Sequence, residues 1–166
     1  MALPGPGGDR ERRFASHLDV IAELLDWFEQ QQPAGVDPMV WIQAQTALVE
    51  AFTNAVRHAH ATLLPPPEVV VRLDCTSGTL RLCIHDQGDP FDMEAAWSEP
   101  EEGADSDDGS EDLPSLDDDG LPILPMRDAH WGLIMLRKLQ QDFGWSIRYD
   151  GLPDGGNVLV LEHPLD

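Results

Sequence analysis

Glu50, Asn54 and His58 recur at four-residue spacing within ALVEAFTNAVRHAHA, Ala47 to Ala61. On an α-helix that spacing sets a carboxylate, a carboxamide and an imidazole along one line. A carboxylate so placed can take a proton, and a carboxamide oxygen can join the shell of a hard cation. The wet face of a helix is the plainer account of the same three residues. Further on, an apolar alternating run ends in His85-Asp86-Gln87-Gly88-Asp89-Pro90. An acid two residues before a glycine at a strand's end makes a ligand-facing turn, because glycine lets another group approach the backbone. Taken alone, a plain turn is the commoner account of that triplet. His130-Trp131-Gly132-Leu133 then sets a glycine at the opening of a helical pattern, where free backbone N–H groups can receive an anion. The order is far more specific than any part: helix with E-x-x-x-N, strand ending in D-x-G, variable segment, glycine and helix.

The elements that must position these residues can be read in turn. Residues 1–9 are rich in Gly and Pro and read as disordered, with a short extended piece near Arg12–Ala15. Ser16 reads as the N-cap of a first helix, whose Leu18, Ile21, Leu24, Leu25 and Phe28 have helical spacing. Pro33 and Gly35 stop it. Asp37-Pro38 starts a second helix, with Asp as cap and Pro at the first position, predicted to run to about Ala61. On it Ala44, Leu48, Ala51, Ala55 and Ala59 form a ridge of small residues suited to packing on a sheet. Val69, Val71, Leu73 and Cys75 alternate, as do Leu80, Leu82 and Ile84, and Thr76-Ser77-Gly78 joins them as a hairpin. That register sets Cys75 near Thr79 and Cys83 several pairs away, which argues against a disulfide. A third helix is expected from about Asp128 to Phe143, then a hairpin of Trp145–Tyr149 and Val158–Glu162 about a turn at Leu152–Gly156. Helices segregated from hairpins predict an α+β fold, a two-layer sandwich with helices on one face of a mixed, mostly antiparallel sheet.

The 166 residues fit one domain, able to bury about two-thirds of its unfolded surface. A formal charge of −21, with a single lysine, argues against nucleic acid or an anionic membrane as partner, since phosphate contacts need clustered cations. No apolar run approaches the roughly 20 residues that span a bilayer, and no signal segment opens the chain, so a cytoplasmic protein is expected. Two cysteines make neither a disulfide framework nor a four-ligand zinc site. Glu99 to Asp119 holds eleven acids and no base; without it the net charge is −10. Its Gly, Ser and Pro content predicts a mobile insertion over about 97–126. Its acids do not follow the ligand register of a calcium loop. The expected organisation is thus a tail over 1–13 and one domain over 14–166 that carries the insertion.

EAFTNAVRHA resembles the N box of the GHKL ATPase superfamily, and most closely its anti-sigma factor serine/threonine kinase branch. HDQGDPFD resembles that branch's G1 box, WGLIMLRKLQQDF its G2 region, and GGNVLVLEH its closing strand; together they cover about Phe14 onwards. The resemblance implies a GHKL-like fold that binds ATP and Mg2+. It implies Asn54 as a magnesium ligand, Glu50 as the general base toward a serine or threonine hydroxyl, and Asp86 as acceptor for the adenine amine. Gly88 would let the base approach the backbone, and Gly132 with its helix start would meet the phosphates. His58 is left as a partly buried structural histidine. His130 stands where the family usually carries a further glycine, and the segment between G1 and G2, usually short, holds the acidic run. The implied function is a kinase that phosphorylates a small antagonist protein and sequesters a sigma factor or similar regulator, by analogy as a homodimer. The alternatives are a GHKL-fold interaction module with weak or absent catalysis, and a histidine-kinase-type catalytic domain, which lacks here its usual preceding helices.

Overall fold

The computed structural model describes residues 10–90 and 128–165, with residues 128–133 described by their backbone alone. Five strands form one sheet: β1 (Arg10–Phe14), β2 (Val69–Thr76), β3 (Thr79–Asp86), β4 (Ser146–Gly151) and β5 (Asn157–Pro164). Their order is β1-β2-β3-β5-β4, and among the described residues every neighbouring pair is antiparallel, where a mostly antiparallel sheet was expected. The helices are α1 (Ile21–Gln30), entered through a 3-10 turn at Leu18–Val20, α2 (Pro38–Asn54) and α3 (Asp128–Asp142). They supply one wall of the core and the sheet supplies the other, giving the expected α+β fold. The expected acidic insertion at 97–126 lies outside the described residues. Among the described residues, no helix is long and apolar enough to cross a membrane.

Alternation along the strands decides which face is buried. Val71, Ile84 and Leu159 fall in one cross-strand row, and Leu73, Leu82, Leu161 and Ile147 in the next. All seven are buried. From the helices, Leu24 and Phe28 of α1, Ala44, Leu48, Ala51 and Phe52 of α2, and Leu136 and Leu139 of α3 close over them. Phe28 stacks on Trp41 at 4.1 Å between ring centroids and 9° between planes, tying α1 to α2. Trp145 donates its indole N–H to Gln43 Oε1 at 2.9 Å, which ties the start of β4 to α2. α2 begins as its sequence dictates: the Asp37 carboxylate accepts from the Met39 amide at 2.8 Å, with Pro38 at the first position.

Several local expectations need correction. β1 takes in Arg10–Arg13, so the sheet starts ahead of residue 14 and the presumed tail contributes a strand. Arg10 is held there by a hydrogen bond to the Gln31 carbonyl, and Arg12 by an ion pair with Glu23. Ser16 is not the cap of the first helix; His17 caps the 3-10 turn that leads into it by accepting from the Asp19 amide, and α1 itself starts after Val20 with no side-chain cap. The hairpin turn is the two-residue Ser77-Gly78, at φ 54° and 72°, which suits a right-handed strand twist. This sets Cys75 opposite Leu80 and Cys83 opposite Arg72, one step from the expected register. Both thiols are free and burial pushes their pKa values up.

Candidate functional site

α2 does not end as a plain α-helix. After Asn54 the chain widens into a π-helical turn, Ala55–Ala59, closed by the His60 amide donating to the Ala55 carbonyl at 2.8 Å. The wider turn shifts all that follows by one position, and such turns gather at functional sites. Glu50 and Asn54 keep their shared line on α2, both half-buried, but His58 leaves it and is exposed. The buried histidine is His60, 2% exposed, so the structural role expected of His58 belongs to its neighbour.

His60 explains why the strand-ending turn has one shape. Its Nε2 accepts from the Gln87 amide at 2.9 Å, and its Nδ1 meets Ser16 Oγ at 2.9 Å. A nitrogen that accepts from an amide carries no proton, so Nδ1 carries it and donates to the serine. Burial lowers the His60 pKa, and the nearby Asp86 charge offsets this in part.

Asp86, the last residue of β3, shares the inward side of the strand with Leu82 and Ile84 and is 4% exposed. A carboxylate can stay buried only if it is well hydrogen-bonded. Its Oδ1 accepts from the Gly88 amide at 2.9 Å and from Asn157 Nδ2 at 3.0 Å. Its Oδ2 accepts from the Tyr149 hydroxyl at 2.5 Å. Burial and that hydrogen bond hold the Tyr149 pKa far above its ordinary value, so the phenol stays the donor. Asn157 Nδ2 also reaches the carbonyls of Gly88 at 3.1 Å and Asp89 at 3.0 Å, clamping the turn to the head of β5. Asn157 Oδ1 is buried and has no hydrogen-bond partner among the described residues.

Two glycines are required by contact. A Cβ on Gly88 would lie 2.7 Å from Ala59 Cβ and 2.9 Å from its Cα, so the π-helical turn packs directly on this glycine. Gly156, at φ +80°, comes so close to the Asp86 carbonyl oxygen that no side chain fits there. The first contact ties the end of α2 to the Asp86 turn, with Asn54 and Glu50 one and two turns further up that helix. Gly132 is the fifth residue of α3 rather than a residue before it.

Spacing singled out Glu50, Asn54, Asp86 and Gly88 as candidates; it did not single out Tyr149, Asn157 and His60, which bond the Asp86 turn. Asn157 left a trace, a lone amide at the head of the apolar strand NVLVL. Among the described residues no three His, Cys, Asp or Glu side chains gather to hold a metal ion. A cation at Asn54 would thus draw most of its oxygen ligands from water or from a bound anion, which suits magnesium. The unmet Asn157 acceptor beside a buried carboxylate fits a ligand that brings a hydrogen-bond donor. Residues 14–162 match a family model described as a histidine kinase-like ATPase domain. A comparison with curated proteins finds no match.

Proposed function

The chain belongs to the histidine kinase-like ATPase family, part of the GHKL superfamily, and from that premise we propose that it is an anti-sigma-factor-type serine/threonine kinase using ATP and Mg2+. The observation that supports the nucleotide half is the Asp86 carboxylate: buried, held from three sides, and set where α2, β3 and β5 meet. In this reading Asp86 accepts from the exocyclic amine of adenine. Gly88 and the π-helical turn fix the wall beside it, and the backbone near Gly132 faces the phosphates. ATP supplies the phosphoryl group and magnesium offsets its charge. Asn54 gives its side-chain oxygen to the cation, and Glu50 takes the proton from the attacking hydroxyl. The phosphorylated residue belongs to a small antagonist protein, and the kinase alternately holds a sigma factor or similar regulator, acting as a cytoplasmic homodimer.

Calorimetry with ADP and ATP, with and without Mg2+, tests this first. Asp86→Asn sets an amide against three donors and is expected to weaken ADP binding at least about tenfold, the worth of a charged hydrogen bond. Glu50→Gln keeps binding and lowers phosphotransfer by about 10²–10⁴-fold. Equal loss of binding and transfer in Glu50→Gln rejects the base assignment. A second reading, a nucleotide-binding interaction module without transfer, is favoured by the place of Gly132. As the fifth residue of α3 its amide falls beyond the unpaired first turn that receives anions. Binding without transfer to any serine or threonine of a cognate antagonist would select it.

A further inference from the structure

We propose that Tyr149 and Asn157 set the base specificity of this site by leaving Asp86 a single open acceptor position, so that it takes one N–H from a base and rejects a two-point donor edge. The inference rests on the nucleotide reading above and goes beyond it to which bases are admitted. An ionised carboxylate offers about four lone-pair positions, two on each oxygen. On Oδ1 both are taken, by the Gly88 amide and by Asn157 Nδ2. On Oδ2 one is taken by the Tyr149 hydroxyl, and among the described residues one remains. Guanine pairs with a carboxylate through N1–H and its 2-amino group, one donor on each oxygen. That arrangement needs Oδ1, which is full. Adenine offers one amine N–H to one oxygen and can be satisfied by the remaining Oδ2 position.

The groups that fill Asp86 are themselves fixed, so the carboxylate cannot turn to present a free edge. Asn157 is 1% exposed and its Nδ2 is shared with two carbonyls of the turn. The Gly88 amide is held by the packing of Ala59 on that glycine. Tyr149 reaches Asp86 from β4, the edge strand beyond β5, with its ring packed against the core. The phenol is thus a positioning residue: it acts on the ligand through the carboxylate.

The test compares ADP, GDP and two ADP analogues on the wild-type protein and on Tyr149→Phe by calorimetry. Wild type is expected to prefer ADP over GDP by at least about tenfold, one charged hydrogen bond left unmade. N6-methyl-ADP, which keeps one amine N–H, binds within a few-fold of ADP, whereas N6,N6-dimethyl-ADP, which keeps none, loses about tenfold or more. In Tyr149→Phe a second Oδ2 position opens, so that the N1–H and 2-amino donors of guanine can both be accepted by that one oxygen while Oδ1 stays filled, and the ADP-to-GDP ratio falls. A ratio is the useful readout, because a general loosening of the pocket weakens both ligands together. An unchanged ratio in Tyr149→Phe, or equal loss with the mono- and dimethyl analogues, overturns the proposal. Failure of all four ligands on wild type instead rejects the nucleotide reading beneath it.

Discussion

Gly88 shows how one atom's worth of space can decide the site. The resemblance assigns it to close approach by a base, but in the structure the place a Cβ would take is filled by Ala59. Gly88→Ala therefore forces the π-helical turn away from the Asp86 turn and is expected to cost about 1–3 kcal/mol, the usual range for overpacking. Ala59→Gly opens the space again, so the double variant should melt above the sum of the two single losses. Additive melting shifts would show that Gly88 is needed for another reason. Asp86 and Gly88 were legible because a turn is a local object whose residues are adjacent in sequence. Tyr149 and Asn157 were not, because they reach Asp86 from 63 and 71 positions away. No spacing rule spans that distance; only the order of strands in the sheet brings them together.

At the scale of elements, caps and periodicity served well where the helix is regular. Asp37-Pro38 opened α2 as expected, and Ala44, Leu48, Ala51 and Ala55 all face the core. The reading failed where the helix changed type, since a four-residue period cannot see a five-residue turn. That turn gives His60 a place between Ser16 and the Gln87 amide and makes it a proton-sensitive brace. Burial lowers its pKa from 6.5, so as pH falls the unfolded chain takes up the proton before the folded one. This group therefore leaves stability unchanged above about pH 6.5 and reduces it on acidification below that, until the folded-state pKa is reached. His85 is lowered by burial too and adds a slope of the same sign. Melting temperatures between pH 7.5 and 5.5 should fall less steeply in His60→Gln than in wild type; parallel slopes would remove His60 from the pH response.

At the scale of the molecule, charge and topology act separately. The acidic run between Glu99 and Asp119 carries more than half of the net charge yet falls outside the described sheet and helices. Replacing it with a short Gly/Ser linker is expected to leave the melting temperature nearly unchanged. If its carboxylates repel ATP, the same change tightens ATP binding, more at low salt than at high, because the repulsion reaches only about a Debye length. A large fall in melting temperature would show instead that the segment belongs to the packed domain. The strand order β1-β2-β3-β5-β4 has a consequence in time as well as in space. The first hairpin can close as soon as its two strands exist, since its turn is only Ser77-Gly78. β3 gains its second neighbour only when β5 arrives, pairing Asp86 with Asn157 across a long stretch of chain. Closing so long a loop is slow and comes late, because its entropy must be lost before the contacts form. As the chain leaves the ribosome, helices and hairpin assemble while the buried carboxylate still lacks its amide and phenol donors. The Asp86 turn is thus expected to complete its hydrogen bonds only after β5 has paired with β3.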